Sequence, residues 1–217
     1  MIPSLYYREM RLLALAKRVE HSVETQLLDI KFMQRIYKAE GIKIDRWDTS
    51  PRIRAAYFCE SNDYSVLLNK NLPREPKLFS MAHELKHHCA DQASLKGGNI
   101  KCGDYNANKV IEIGAEIFAA EFIYPEDEMK DLLDELGINH ENCTPQKIVE
   151  FKRVCPAIVS YSFLVKRCEW FGLYEQKMHK DIRFQKLEEQ MYGLPIYKQP
   201  WFIAHRAKKK LVSRHNN

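Results

Sequence analysis

Phe79-Ser80-Met81-Ala82-His83-Glu84-Leu85-Lys86-His87 is the stretch on which the reading of this chain turns. Its apolar residues, together with Leu78, recur at helical spacing, and the pattern predicts a helix from Pro76 to Ala90. Pro76 suits a first turn, where its missing N–H is not needed. The last five residues form an H-E-x-x-H. Two histidines four apart on a helix stand one turn apart on one face. Their imidazoles can converge on a single ion at a Zn–N distance of ~2.0–2.1 Å. Glu84 sits about 100° further round the helix and can reach a water on such an ion rather than the ion itself. Zn²⁺ brings that water's pKa towards ~7, where a carboxylate can take its proton. The motif therefore supplies two ligands and a base. Zinc still needs a third protein ligand.

The next predicted helix, Lys109 to Ile123, carries Glu112 and Glu116, four apart and on one face. Ile113, Ile117, Phe118 and Ala120 leave this acidic stripe as a separate face. Taken alone, such a pair is as readily a solvated face. Behind an H-E-x-x-H helix, Glu112 is the natural third ligand. Glu116 is then placed to accept a hydrogen bond from the outer nitrogen of a ligating histidine, which fixes tautomer and ring orientation.

Working outward, Leu5 to Tyr37 carries apolar residues at mixed three and four spacing, predicting one or two amphipathic helices ended by Gly41. Three strand-like runs follow, Ile42 to Trp47, Ile53 to Cys59 and Tyr64 to Leu68. They are separated by turn formers, and the short links predict an antiparallel meander. A polar, Gly-containing loop, Ala93 to Asn106, separates the two helices of the candidate site. Beyond Pro125, helices are expected at Glu126 to Glu135, at Pro145 to Val154 (capped by Thr144) and at Tyr161 to Phe171 (capped by Ser160). The last two form a helical hairpin. A further helix is expected to end near Met191. The class is α+β, in three parts: a helical extension (1–40), a central domain (41–174) and a basic extension (175–217).

Composition narrows the function classes. The chain has 217 residues, 45% of them hydrophobic and 29% charged, as in a globular protein. Eight Gly and nine Pro exclude a collagen-like or low-complexity chain. No apolar run approaches the ~18 residues of a membrane span. The opening MIPSLYYREMRLLALAKRVE has charges inside its apolar stretch, unlike a secretory leader, so a cytoplasmic location is expected. The six cysteines contain no C-x-x-C pair and are expected as reduced thiols. Net charge is +5. Residues 176–217 contribute +7, from ten Lys/Arg against three Asp/Glu, and the remainder is −2. The run Arg206-Ala207-Lys208-Lys209-Lys210, near Trp201 and Phe202, can neutralise phosphates and stack on bases. A solvated chain end is the more ordinary state of such a run.

At this point a resemblance is plain. Phe79 to His87 is similar to the F-[ST]-x-A-H-E-L-x-H motif of the ImmA/IrrE family of metallo-endopeptidases. Glu112-Ile113-Gly114-Ala115-Glu116-Ile117-Phe118-Ala119-Ala120-Glu121-Phe122-Ile123-Tyr124-Pro125 resembles that family's E-x-x-A-[ND]-x-F-A-x-x-L-L-x-P. A weaker echo runs from Val159-Ser160 through Lys166-Arg167 to Gly172-Leu173. The resemblance covers roughly Ala39 to Leu173.

It implies a small zincin-like α+β domain with a short, mostly antiparallel sheet over the zinc-binding helix and additional helices at both ends. The implied activity is hydrolysis of a peptide bond in a protein substrate, a DNA-binding repressor or regulator of phage or mobile-element type, with Zn²⁺ as cofactor. By the same resemblance His83, His87 and Glu112 are metal ligands and Glu84 the general base. Two positions depart from the pattern. Glu116 stands where Asn or Asp is usual, which keeps an acceptor but makes it long enough to compete with Glu112. Lys86 stands where Gly is frequent, at an unconstrained position of the motif, with no loss of metal expected.

A second reading keeps the fold and the zinc but not the cleavage, as a regulatory module that binds a repressor partner. A site closed by His88 or Cys89 would favour it, an open fourth position the enzyme. His88 and His21 have no partners at ligand spacing, and His88 is expected on the surface. Tyr57, Tyr64 and Tyr105 are candidates to polarise a scissile carbonyl that sequence alone does not place.

Overall fold

A computed structural model describes residues 4–48, 53–60, 63–93, 109–174, 181–195 and 198–200. The class is α+β, consistent with a small zincin-like domain. In chain order come α1 (Ser4–Glu20), a 3₁₀ turn (Thr25–Leu27), α2 (Ile30–Ala39), β1 (Ile42–Trp47), β2 (Ala55–Glu60), β3 (Asp63–Asn69), α3 (Arg74–Ala90) and α4 (Lys109–Ile123). Then follow α5 (Glu126–Glu135), α6 (Pro145–Val154), α7 (Tyr161–Trp170) and α8 (Phe184–Tyr192). Among the described residues no helix is long and apolar enough to cross a membrane.

The predicted helices form where periodicity and caps place them. Asp29, Thr144 and Ser160 each accept a backbone N–H three residues on, at Phe32, Lys147 and Phe163. Gly41 takes up φ +71° immediately after α2, a left-handed conformation that a side chain would strain, and so it turns the chain into β1. α6 and α7 pack against each other as the expected hairpin. The expected loop between α3 and α4 falls for the most part outside the described residues, as does the basic tail from Trp201 onward.

The sheet differs from an antiparallel meander. Its order is β1-β3-β2, with β2 antiparallel to β3 but β1 parallel to it. Ile42 pairs with Tyr64 and Trp47 with Asn69. The reason lies in burial. β3 carries Val66 and Leu68, both core residues, and is the strand worth flanking on two sides. β1 and β2, with mostly exposed or half-exposed residues, take the edges.

α3 crosses the inner face of this sheet and is the centre of the molecule. Leu78, Met81, Ala82 and Leu85 are wholly buried, and Tyr37 of α2 donates its hydroxyl to the Met81 carbonyl at 2.7 Å. α4 lies against α3, and its Phe118, Ala119 and Phe122 join the same buried core. α1 packs on the far side of α4. Its Arg18 donates to the Phe122 carbonyl at 2.7 Å, and its Arg11 meets the fully buried Glu121 at 2.9 Å. Arg167 of α7 reaches the same carboxylate at 3.3 Å, so Glu121 is compensated from two sides. The first helix is thereby braced onto the helix that carries Glu112.

Candidate metal centre

α3 and α4 pack side by side, and their facing surfaces bring three side chains of the two motifs together. His83 Nε2 lies 3.1 Å from Glu112 Oε2, and His87 Nε2 lies 3.3 Å from His83 Nε2 and 3.8 Å from Glu112 Oε1. The ligand atoms of all three fall within 4.8 Å of one another. His87 and Glu112 are buried, while His83 keeps part of its ring exposed. The cradle is therefore closed on one side and approachable on the other. Glu112 Oε1 is buried with no hydrogen-bond partner. A carboxylate oxygen is costly to bury without a partner. A divalent cation between the two imidazoles and this oxygen removes that cost, so the donor set fits zinc: two nitrogens, one carboxylate and an open side.

The electrostatics agree. Burial works against the His83 imidazolium, but the Glu112 hydrogen bond and the charges of Glu84, Glu112 and Glu116 outweigh it and hold the ring above its ordinary value. Burial pushes the Glu112 carboxyl up, and its hydrogen bond with His83 and the charges of His83, His87 and Lys86 pull it net below the usual range. The cradle is built for positive charge.

Glu84 is buried on α3 beside His83. Its charge acts on that imidazole and on the Tyr37 phenol, whose own burial and the Glu84 charge raise it well above its ordinary value. Glu116 does not hold a histidine. Its carboxylate turns outward to Lys166 of α7, at 3.6 Å. The carboxylate on the outer nitrogen of His87 is Asp91 instead, with Oδ2 at 2.7 Å from Nδ1. Asp91 closes α3, four residues after His87 on the same face, so reach along the helix favours it over a residue of another helix.

Lys86, expected at an unconstrained position, is buried and donates to both Asp91 oxygens, at 3.0 and 2.8 Å. The i, i+4 spacing of His87 and Asp91 was the signal in the sequence for this pair.

His88 is also buried rather than at the surface, because the sheet covers that side of α3. Its Nδ1 meets the Tyr57 hydroxyl at 2.9 Å, its Nε2 lies 3.5 Å from Glu40, and the Tyr64 ring stands edge-on to it. Tyr57 and Tyr64 are thus engaged under the sheet, and Tyr105 lies outside the described residues. Neither His88 nor Cys89 belongs to the group of ligand atoms around His83. The five described cysteines are free.

No curated relative matches the sequence. A family model does: the IrrE N-terminal-like domain, Peptidase M78, over residues 26–164. That span begins just before α2, runs through the sheet, α3 and α4, and ends within α7, so it encloses the whole cradle. With both motifs inside the match and their side chains converging, the chain belongs to the Peptidase M78, IrrE N-terminal-like domain family.

Proposed function

We propose that this protein is a zinc-dependent endopeptidase that hydrolyses a peptide bond in a protein substrate. The observation that carries the reading is the convergence of His83, His87 and Glu112 within 4.8 Å, with one Glu112 oxygen buried and unpartnered. Membership of a peptidase family supports the reaction class. A zinc ion held there supplies Lewis acidity toward the scissile carbonyl and toward a water molecule.

The remaining work falls to the chain. Glu84, next to His83 and shielded from bulk water, takes the proton of the attacking water as the new C–O bond forms. It then passes that proton to the departing amine nitrogen as the C–N bond breaks. His87 is kept with its Nε2 toward the cradle by Asp91. The partly exposed side at His83 admits the substrate. A DNA-binding repressor or regulator is the substrate class that the family resemblance implies, which makes the protein a candidate for control of a phage or mobile element.

The test is Glu84→Gln, assayed beside the wild type on the repressor-type protein encoded nearest its gene. The variant is expected to bind one zinc per chain and to cut nothing. Cleavage by the variant at the wild-type rate would remove Glu84 from the mechanism. A wild type that binds zinc and the repressor without cutting would favour the regulatory module.

A further inference from the structure

Lys86 is 1% exposed, which for a lysine demands compensation. Its ammonium finds three acceptors: Asp91 Oδ1 at 3.0 Å, Asp91 Oδ2 at 2.8 Å and the Ile111 carbonyl at 3.2 Å. Asp91 Oδ2 in turn holds His87 Nδ1. Ile111 immediately precedes Glu112. One fixed positive charge thus ties the helix that carries both histidines to the helix that carries the glutamate. It also balances a buried carboxylate directly behind one of the candidate ligands. A structural zinc ion performs the same two tasks, joining elements of the chain and cancelling buried negative charge.

We infer that Lys86 is a resident cation that takes over the structural task of the metal. It holds the cradle in the metal-free chain, and zinc binds against its charge. The inference rests on reading His83, His87 and Glu112 as a metal centre. It has a definite sign. The ammonium is held by three acceptors and is fixed in place, and one of them, Asp91 Oδ2, also holds the His87 ring that would face an arriving dication. Without it, Asp91 is a buried charge lacking its cationic partner, which weakens the empty protein and attracts a cation. Lys86 therefore stabilises the metal-free fold and lowers its affinity for zinc. The metal is then free to come and go without unfolding its site.

The experiment compares wild type and Lys86→Met, which keeps most of the buried aliphatic volume. Each is stripped of metal, melted, and titrated with zinc against a chromophoric chelator. The metal-free variant is expected to melt about 5 °C or more below wild type. Its zinc dissociation constant is expected to be at least about tenfold lower. Equal or weaker zinc binding by the variant, with wild type binding one equivalent, overturns the inference alone. No zinc bound by wild type overturns the metal-centre reading and the inference with it. Should Lys86→Met fail to fold, Asp91→Asn is compared with Lys86→Met/Asp91→Asn. Removing the ammonium in that background must still tighten zinc at least about tenfold, and an unchanged constant overturns the inference.

Discussion

Asp91 Oδ2 lies 2.7 Å from His87 Nδ1, and this contact decides which nitrogen of the ring faces Glu112. With Nδ1–H donated to the carboxylate, the lone pair of Nε2 is directed into the cradle, where Glu112 Oε1 stands at 3.8 Å. Asp91→Asn keeps an acceptor but removes the charge that fixes the tautomer. Loss of an outer partner of this kind costs ~10–100-fold in metal affinity. The expectation is a rise of that size in the zinc dissociation constant, read by chelator competition. Unchanged affinity would mean that packing alone orients the ring.

If His83 and Glu112 are the proposed ligands, they must matter more than their supports. Glu112 reaches the histidines from a separate helix, and its Oε1 has no other partner. His83→Ala and Glu112→Ala are each expected to weaken zinc binding beyond the ~10–100-fold of an outer-partner loss. Metal analysis of the dialysed proteins should find wild type at one equivalent and both variants near zero. A Glu112→Ala protein that keeps its metal would shift the third ligand elsewhere and dismantle the centre described above.

Most of the helical framework was legible in the sequence, because side-chain caps and left-handed glycines are local signals. Thr144, Ser160 and Gly41 each mark a boundary through one hydrogen bond or one backbone conformation. The convergence of His83, His87 and Glu112 was legible for a similar reason, since two of them share a helix turn and the third lies in the first turn of the next helix. What was not legible depends on which surfaces meet in space. The parallel β1–β3 pairing follows from β3 being the strand buried most, and no turn signal encodes that. Glu116 and Asp91 are both acidic residues near a histidine. The i, i+4 spacing to His87 favours Asp91, but that Glu116 turns away depends on the position of α7, which offers it Lys166. Lys86 and His88 look like surface residues in a one-dimensional pattern. They are buried because α4 meets the Lys86 side of α3 with its Ile111 carbonyl and the sheet covers the His88 side with Tyr57 and Tyr64.

The contact between α1 and α4 can be tested where Tyr6 meets Gly114. A Cβ built on Gly114 would stand 2.2 Å from the Tyr6 hydroxyl oxygen and 2.9 Å from its Cζ. Gly114→Ala must displace the Tyr6 ring, and overpacking of this kind costs ~1–3 kcal/mol. In a Tyr6→Ala background the obstacle is gone. There the same change should be neutral or stabilising, since alanine is favoured over glycine in a helix by ~1 kcal/mol. Urea denaturation of the four proteins of this cycle measures the difference. Equal costs in both backgrounds would show that Tyr6 does not hold α1 against α4.

A second cluster contributes to the acid sensitivity of the fold. Glu40, just after α2, accepts from Lys17 of α1 at 2.8 Å and meets His21 Nε2 at 2.8 Å. Burial pushes the Glu40 carboxyl up, but these two hydrogen bonds and the charges behind them outweigh it, and it titrates below its ordinary 4.5. A carboxyl held low in the folded state binds its proton more readily when unfolded. Its contribution is fully present above pH 4.5 and is lost as pH falls from there through the lower folded value. Glu40→Gln removes that contribution at every pH. The variant should melt below wild type at neutral pH, and the gap should narrow as pH falls below about 4.5. The surroundings are partly solvated, so the neutral-pH gap is expected to be on the order of 1 kcal/mol. Melting curves of both proteins from pH 7 to about 3 read it out. A gap that stays constant across that range would place the cost of the substitution in packing rather than in the charge of Glu40.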